Sequence, residues 1–553
     1  MLPFGMAHPN AKSFAVVLLT LYLNGCALHR PYFRSAEFAK PQQAAALQRL
    51  TQNDPLRQAE SFYAQALEKD RSGNAECIEE YLYVAQLLWP TVSTSHDWND
   101  RSNRLYQSAV GKLLTASQRF EKFNPVGGIE STRGIIPVRY NAMVWPPSEC
   151  RHYTVIGDYR TDRDIVPKRQ AGLGVPILGQ HACRAPFIFQ DGLFTATAIV
   201  RPNAAGQYGL EIVNSPQLRR LDINGQSTPL AFDLTAPIAY LTANQDHSAL
   251  TGFLRPAEVE STTGLQMVEP YQPGKIPIIL IHGLASDPLT WSVMANELFY
   301  NEDIIQRYQV WVYSYPTGKP FPTEAARLRD QLVQLRELID PTHVDSALDQ
   351  IVLLGHSMGG LISKLQVTTS GDELAHVVFG KPLSELTLTD EMRDRVTQVF
   401  HFQPSRQIKR VVFMGTPHQG SKIASNPIGR LASHIVKEPI ELITGYDELI
   451  RLNGPLPIGN RIPTSVDLLR PDDPLLQAIY HLPVAPHVAL HTVLGVSHGG
   501  HLGIEESDGV VPKSSAQHPN TQSEVHVDAN HTRLHHTPEA VKEVVRILRA
   551  HAG

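Results

Sequence analysis

Ile351-Val-Leu-Leu-Gly-His-Ser-Met-Gly-Gly-Leu-Ile362 is the stretch whose reading decides the fold. The run Ile351–Leu354 is continuously apolar and short, the pattern of a strand buried on both faces. Leu361-Ile362 opens a segment that reads as a helix. Between the two stands Gly355-His-Ser-Met-Gly359. Glycines on either side of the serine let the backbone turn sharply without Cβ clashes. A strand-turn-helix corner of this kind holds Ser357 at the sheet's edge with its hydroxyl presented, and makes it the candidate nucleophile.

Working outward, Ile278–Ile281, Val310–Tyr313, Val411–Met414 and Thr492–Val496 are further short apolar runs. Helical stretches such as Glu324–Leu338 lie between several of them. Apolar strands alternating with helices predict a mostly parallel sheet covered on both faces. Gln272-Pro-Gly-Lys275 reads as the lead-in to this unit.

In chain order, His282-Gly283, Gly355-His-Ser-Met-Gly-Gly360, Met414-Gly-Thr-Pro-His-Gln-Gly-Ser421 and Ser507-Asp-Gly-Val-Val-Pro512 resemble the lipase/esterase branch of the α/β-hydrolase superfamily as found in bacteria. The resemblance covers about residues 270–550. It implies an α/β-hydrolase fold, a serine hydrolase acting on carboxylic esters, and the order nucleophile, acid, base along the chain. Asp508 is the acid that the resemblance implies; Asp467, Asp472 and Asp473 precede the last good strand and are weaker choices. His518, His526, His531, His535 and His536 all follow Asp508. His531 is the favoured base, because it sits in a polar loop after Glu524–Val527 and before a final helix, Glu539–Arg549; His535 and His536 are the alternatives. The backbone N–H groups of Leu284 and Met358 are the expected donors to the charge that develops on an attacked carbonyl oxygen, each worth on the order of 3 kcal/mol in such sites. The His282 side chain is expected to make a structural hydrogen bond only. The same residues could pass an acyl group to an alcohol, and a non-enzymatic scaffold is the other class of reading.

The N-terminus carries a different signal. Lys12 is the only charged residue before Cys26, and Phe14–Leu23 is apolar but shorter than the ~20 residues of a membrane span. Residues 1–25 therefore read as a signal peptide. Leu23-Asn24-Gly25-Cys26 resembles a bacterial lipobox, which implies lipidation at Cys26, export and, with Ala27 following, an outer-membrane location. Three cysteines remain; export permits a disulfide, and Cys150–Cys183 is the favoured pair, with Cys77 buried on a helix. Residues 26–130 read as helical, with stripes such as Leu56, Ala59, Tyr63 and Leu67, Ile78, Leu82, Ala85 and Trp89, and Leu105, Ala109 and Leu113; Pro90 is expected to close the second helix. The stripes suit core packing first and a protein partner second. Residues 131–260 read as a β-rich accessory module, with a hairpin at Asn224-Gly225. The catalytic domain is placed at 270–553, with a cap insertion at about 421–470.

The 553 residues are 42% apolar and 19% charged with a formal net charge of −5, enough for a substantial core and without the basic footprint of a nucleic-acid binder. No phosphate-binding or dinucleotide glycine loop appears, no Cys/His spacing suggests a metal, and no cofactor is implied.

Overall fold

The computed structural model describes residues 32–35, 54–181, 187, 192–244, 263–421, 440–457, 463–497 and 505–553. The strand Ile351–His356 lies at the centre of a seven-stranded sheet. Its strand order is Gly264–Met267, Tyr308–Ser314, Ile276–Ile281, Ile351–His356, Ile408–Met414, Ala489–Gly495 and Thr521–Val527. Gly264–Met267 is antiparallel to its neighbour, and the remaining pairings are parallel.

Successive side chains of a strand point to opposite faces, so a sheet covered twice needs apolar residues at every position. Ile279, Ile281 and Leu353 pack on one face with Leu328, Leu332 and Leu335 of the helix Phe321–Ile339. Ile278, Leu280, Val352 and Leu354 pack on the other with Met294 and Leu298 of Ser292–Tyr300 and Val544, Ile547 and Leu548 of Pro538–Ala552. The sheet begins earlier than the expected boundary at 270. Gly264–Met267 is a short edge strand ahead of the Gln272–Lys275 turn, and it lacks the long apolar run that marks the central strands.

In the N-terminal half, helices Pro55–Arg71, Cys77–Val92 and Arg101–Arg119 pack side by side. Pro90 does not close the second helix, which continues to Val92. The helix ends two residues later, so the hydrogen bond that Pro90 cannot make and the crowding of its ring fall in the last turn, where they disrupt least. The expected stripes are core: Ala59, Tyr63, Ile78, Ala85, Ala109 and Leu113 share one apolar cluster with Tyr153, Ile177, Phe194 and Ile212 of a six-stranded sheet. Tyr106 ties helix to sheet, donating to the Val200 carbonyl at 2.7 Å and accepting from the Val200 N–H at 2.9 Å. The helical region and the β-rich region are thus one packed unit. Tyr32–Ser35, in the region read as helical, is instead an edge strand paired with Cys150–Arg160. The hairpin at Asn224-Gly225 forms between Arg220–Ile223 and Gln226–Pro229. Cys77 and Cys150 are buried, and Cys183, the expected partner of Cys150, lies outside the described residues.

The two halves meet through apolar contact. Leu178, Leu193 and Leu241 enter the cluster that holds Ile278 and Leu280, and Ile165 is buried between Ile238 and Val293. Of the expected cap, helices Ile440–Asn453 and Ser465–Leu468 are described; residues 422–439 and 458–462 lie outside the described residues, as do 1–25 and Cys26.

The corner after Ile351–His356 leads into the helix Met358–Lys364. A Cβ added at Gly359 would lie 2.3 Å from the Ile281 carbonyl oxygen, so the helix can start only with a bare Cα against the neighbouring strand. Gly359→Ala is expected to cost about 1–3 kcal/mol through overpacking, read as a lower urea midpoint with an unchanged m value. A midpoint equal to wild type would mean that the helix is not held against that strand.

Candidate active site

Ser357 follows the last residue of the central strand and has φ 55° and ψ −126°, a conformation that a non-glycine residue adopts only under constraint. Its N–H donates to the Met414 carbonyl at 2.9 Å, which fixes the corner to the adjacent strand. The Ser357 Oγ lies 2.8 Å from His531 Nε2. His531 Nδ1 lies 2.7 Å from Asp508 Oδ2. All three residues are buried.

The hydrogen bonds settle the protons. Asp508 Oδ1 accepts from the N–H groups of Val510 and Val511 at 2.9 and 2.7 Å, leaving Oδ2 for the imidazole. A carboxylate oxygen only accepts, so His531 Nδ1 carries the hydrogen and Nε2 is the acceptor for the Ser357 hydroxyl. Burial pushes the Asp508 carboxyl up, but the hydrogen bond from His531, its charge and the two backbone N–H groups outweigh this and hold it below the usual aspartate range. Asp508 and His531 are also tied through the backbone, His531 N–H donating to the Asp508 carbonyl at 2.9 Å.

The other sequence-level choices lie elsewhere. His535 Nε2 is 2.8 Å from Thr290 Oγ1 and 2.9 Å from the Thr290 carbonyl. His536 Nε2 meets the same carbonyl at 2.9 Å, and its Nδ1 is 3.4 Å from Asp164 Oδ2. His518 packs against Phe413 and His418, and His526 pairs with Glu524 at 2.7 Å. Asp467 closes a capping box with Thr464, Asp473 caps the helix Pro474–His481, and Asp472 pairs with Arg470.

The loop after Ile276–Ile281 runs directly beside the serine. A Cβ at Gly283 would lie 2.8 Å from the Ser357 Cβ. The His282 ring is buried and stacks on Tyr315 at 4.4 Å. Its Nδ1 is 3.0 Å from the Gly283 carbonyl and its Nε2 takes the Tyr315 N–H at 3.4 Å, so Nδ1 is the donor. Pinning the Gly283 carbonyl also orients the Leu284 N–H, because the two lie antiparallel in one trans peptide. One residue on, Ala285 has φ 52° and its N–H donates to Thr317 Oγ1 at 3.1 Å. Met358 is the first residue of its helix, where the N–H has no intrahelical partner. Tyr315 and Thr317 were not singled out in the sequence. Their only trace there is a polar stretch after the strand Tyr308–Ser314, which is the common appearance of a loop. Among the described residues no group of three or more His, Cys, Asp or Glu is set to hold a metal.

A model of the family described as "Alpha/beta hydrolase family" matches residues 278–544. A curated protein of Sus scrofa, 1-acylglycerol-3-phosphate O-acyltransferase ABHD5, is 24% identical over 108 residues, 20% of this chain and 30% of that protein. The chain thus spans less than a third of the length of that relative. Among solved structures, the mature lipase BlEst2 of Bacillus licheniformis aligns with 50% of this chain and 93% of its own at 17% identity and TM-score 0.31. The Staphylococcus hyicus lipase aligns with 51% of this chain and 97% of its own at 13% identity and TM-score 0.32. EstA from Clostridium botulinum aligns with 51% and 87% at 12% identity and TM-score 0.32.

Burial holds several histidines neutral. It pushes His282 down from 6.5 to about 4, His356 to about 3 and, with the nearby Lys364 adding to it, His518 to about 4. Between these values and 6.5 the unfolded chain binds more protons than the folded one. Their stabilising share is complete above pH 6.5 and falls as pH drops toward 4, by at most about 1.4 kcal/mol per pH unit for each. Carboxylates held low, Asp508 among them, lose their share only below about pH 4. Urea unfolding at pH 5 should therefore give a free energy lower than at pH 7.5 by more than about 2 kcal/mol. Values equal within about 0.5 kcal/mol would mean that these rings are not buried as neutral groups.

Proposed function

We propose that the α/β-hydrolase domain of this chain, which belongs to that superfamily over residues 278–544, cleaves carboxylic esters through an acyl-enzyme on Ser357. The observation that supports this reading is the continuous relay from Asp508 Oδ2 to His531 at 2.7 Å and from His531 to Ser357 Oγ at 2.8 Å. Ser357 Oγ attacks the ester carbonyl carbon while His531 Nε2 takes its proton, and Asp508 stabilises the resulting imidazolium. The N–H groups of Met358 and Leu284 receive the negative charge on the carbonyl oxygen. Collapse of the intermediate expels the alcohol, which leaves with the proton from His531. Water, deprotonated by His531, then attacks the acyl-enzyme, releasing the acid and restoring Ser357.

The substrates are esters with apolar acyl chains, taken from a lipid or membrane surface. The nearly eighty residues between Met414 and Thr492 exceed the dozen or more that a crossover needs, and the apolar content of that surplus supports the reading. Cys26 carries the lipid anchor, which places the enzyme on the outer membrane. An alcohol in place of water would make the same site an acyltransferase, the activity named for the Sus scrofa relative.

Ser357→Ala should retain less than about 1% of the wild-type turnover of p-nitrophenyl butyrate, with an unchanged circular dichroism spectrum, and should lose labelling by a fluorophosphonate probe. Substantial residual turnover would move the nucleophile elsewhere, and a wild-type protein that neither turns over esters nor takes the probe would be a scaffold. A p-nitrophenyl ester panel should show activity rising from acetyl to longer chains; a preference for acetyl argues against the acyl pocket. Cys26→Ser should abolish incorporation of labelled acyl chains and accumulate precursor, and undiminished labelling would rule out the anchor.

A further inference from the structure

His356 stands next to the serine, and its side chain has no part in the chemistry described so far. It ends the central strand and is buried. Its Nε2 lies 2.9 Å from the backbone carbonyl of His531. A carbonyl only accepts, so Nε2 carries the hydrogen and donates. Burial, reinforced by the neighbouring His531, keeps the ring neutral by pushing its pKa down to about 3. The ring is wedged against His535 at 4.3 Å, His531 at 4.8 Å and Trp291 at 6.5 Å, contacts that leave it one orientation.

We propose that His356 is a positioning residue, its Nε2–H holding the His531 backbone so that the base meets the neighbouring serine at the right distance. The inference rests on reading Ser357, Asp508 and His531 as one relay. Nucleophile and base are 174 positions apart in the chain, and the base sits in a loop. The His531 N–H is tied to the acid through the Asp508 carbonyl, and the His531 carbonyl is tied to the nucleophile's own neighbour. Both peptide groups of the base are thereby referenced to the two residues that its ring must bridge. Because His356 and Ser357 are consecutive at a strand end, the Oγ to Nε2 separation depends on one rigid corner rather than on the loop. A displacement of about 1 Å in such a relay can cost about a hundredfold in rate.

The test compares His356→Gln with His356→Met in the full chain. The two side chains have nearly the same length and shape, and only glutamine offers an N–H with the reach of the imidazole Nε2. With p-nitrophenyl butyrate, His356→Gln should keep kcat within about threefold, while His356→Met should lose about tenfold or more with KM changed less than about twofold. The rate of fluorophosphonate labelling should fall by the same ratio. A role in packing alone would lower the melting temperature of both variants and leave their kcat values alike. Equal kcat in the two variants, or a tenfold loss in the glutamine variant, overturns the assignment. His356→Phe, which keeps an aromatic ring beside Trp291, replaces the methionine variant if that does not fold. Ser357→Ala, run in parallel, separates the two failures: turnover surviving in it sinks the relay, whereas an inert Ser357→Ala beside indifferent His356 variants sinks only the positioning role.

Discussion

Ser357 is held with φ 55° and ψ −126°, which costs a residue with a side chain about 1–3 kcal/mol. The surroundings offset that cost by leaving the backbone no alternative. The central strand pairs on both sides, the Ser357 N–H is bonded to the Met414 carbonyl, and the helix that follows is pressed on Ile281 through Gly359. Relaxing the serine would break a strand pairing or move the helix. The strain is therefore stored in a buried sheet and borne by the residue whose Oγ meets His531.

Around that corner two polar side chains are each paired twice. Asp508 spends one oxygen on backbone N–H groups and the other on His531; His282 spends one nitrogen on the loop carbonyl and the other on the Tyr315 N–H. Each imidazole has its tautomer set by a partner that can only donate or only accept. Burial keeps His282 and His356 neutral, so the carboxylate of Asp508 faces no competing buried imidazolium from them. In a low-dielectric site an extra charge would act strongly on the protons held between Asp508, His531 and Ser357.

The N-terminal half is joined to this arrangement rather than strung before it. Its helices bury their stripes on its own sheet; that sheet sends Leu178 and Leu193, and the helix Ala236–Asn244 sends Leu241, into the core beneath the central strands. Asp164, in the same half, pairs with Arg533, two residues beyond His531. Exposed pairs of this kind contribute little alone; the buried Ile165 beside Asp164 gives the contact its fixed place.

What the chain determined by itself is what local periodicity and backbone chemistry can carry. Unbroken apolar runs announced a sheet covered on both faces, glycines around Ser357 announced a sharp corner, and Asp508 in Ser507-Asp-Gly-Val-Val-Pro512 stood out by its resemblance to a known pattern. The short edge strands Tyr32–Ser35 and Gly264–Met267 were not legible, because an edge strand is buried on fewer sides and needs no strong pattern. Among the histidines after Asp508, spacing could favour His531 but could not separate it from His535 and His536, all within six residues of one another. Only the folded chain turns one of them toward Ser357 and the others toward Thr290. The same holds for His356, whose partner is a backbone carbonyl 175 positions away. Local rules reach a few residues along the chain. Which nitrogen meets which oxygen across the fold is set by how the strands and loops close on each other, and that is a property of the tertiary structure.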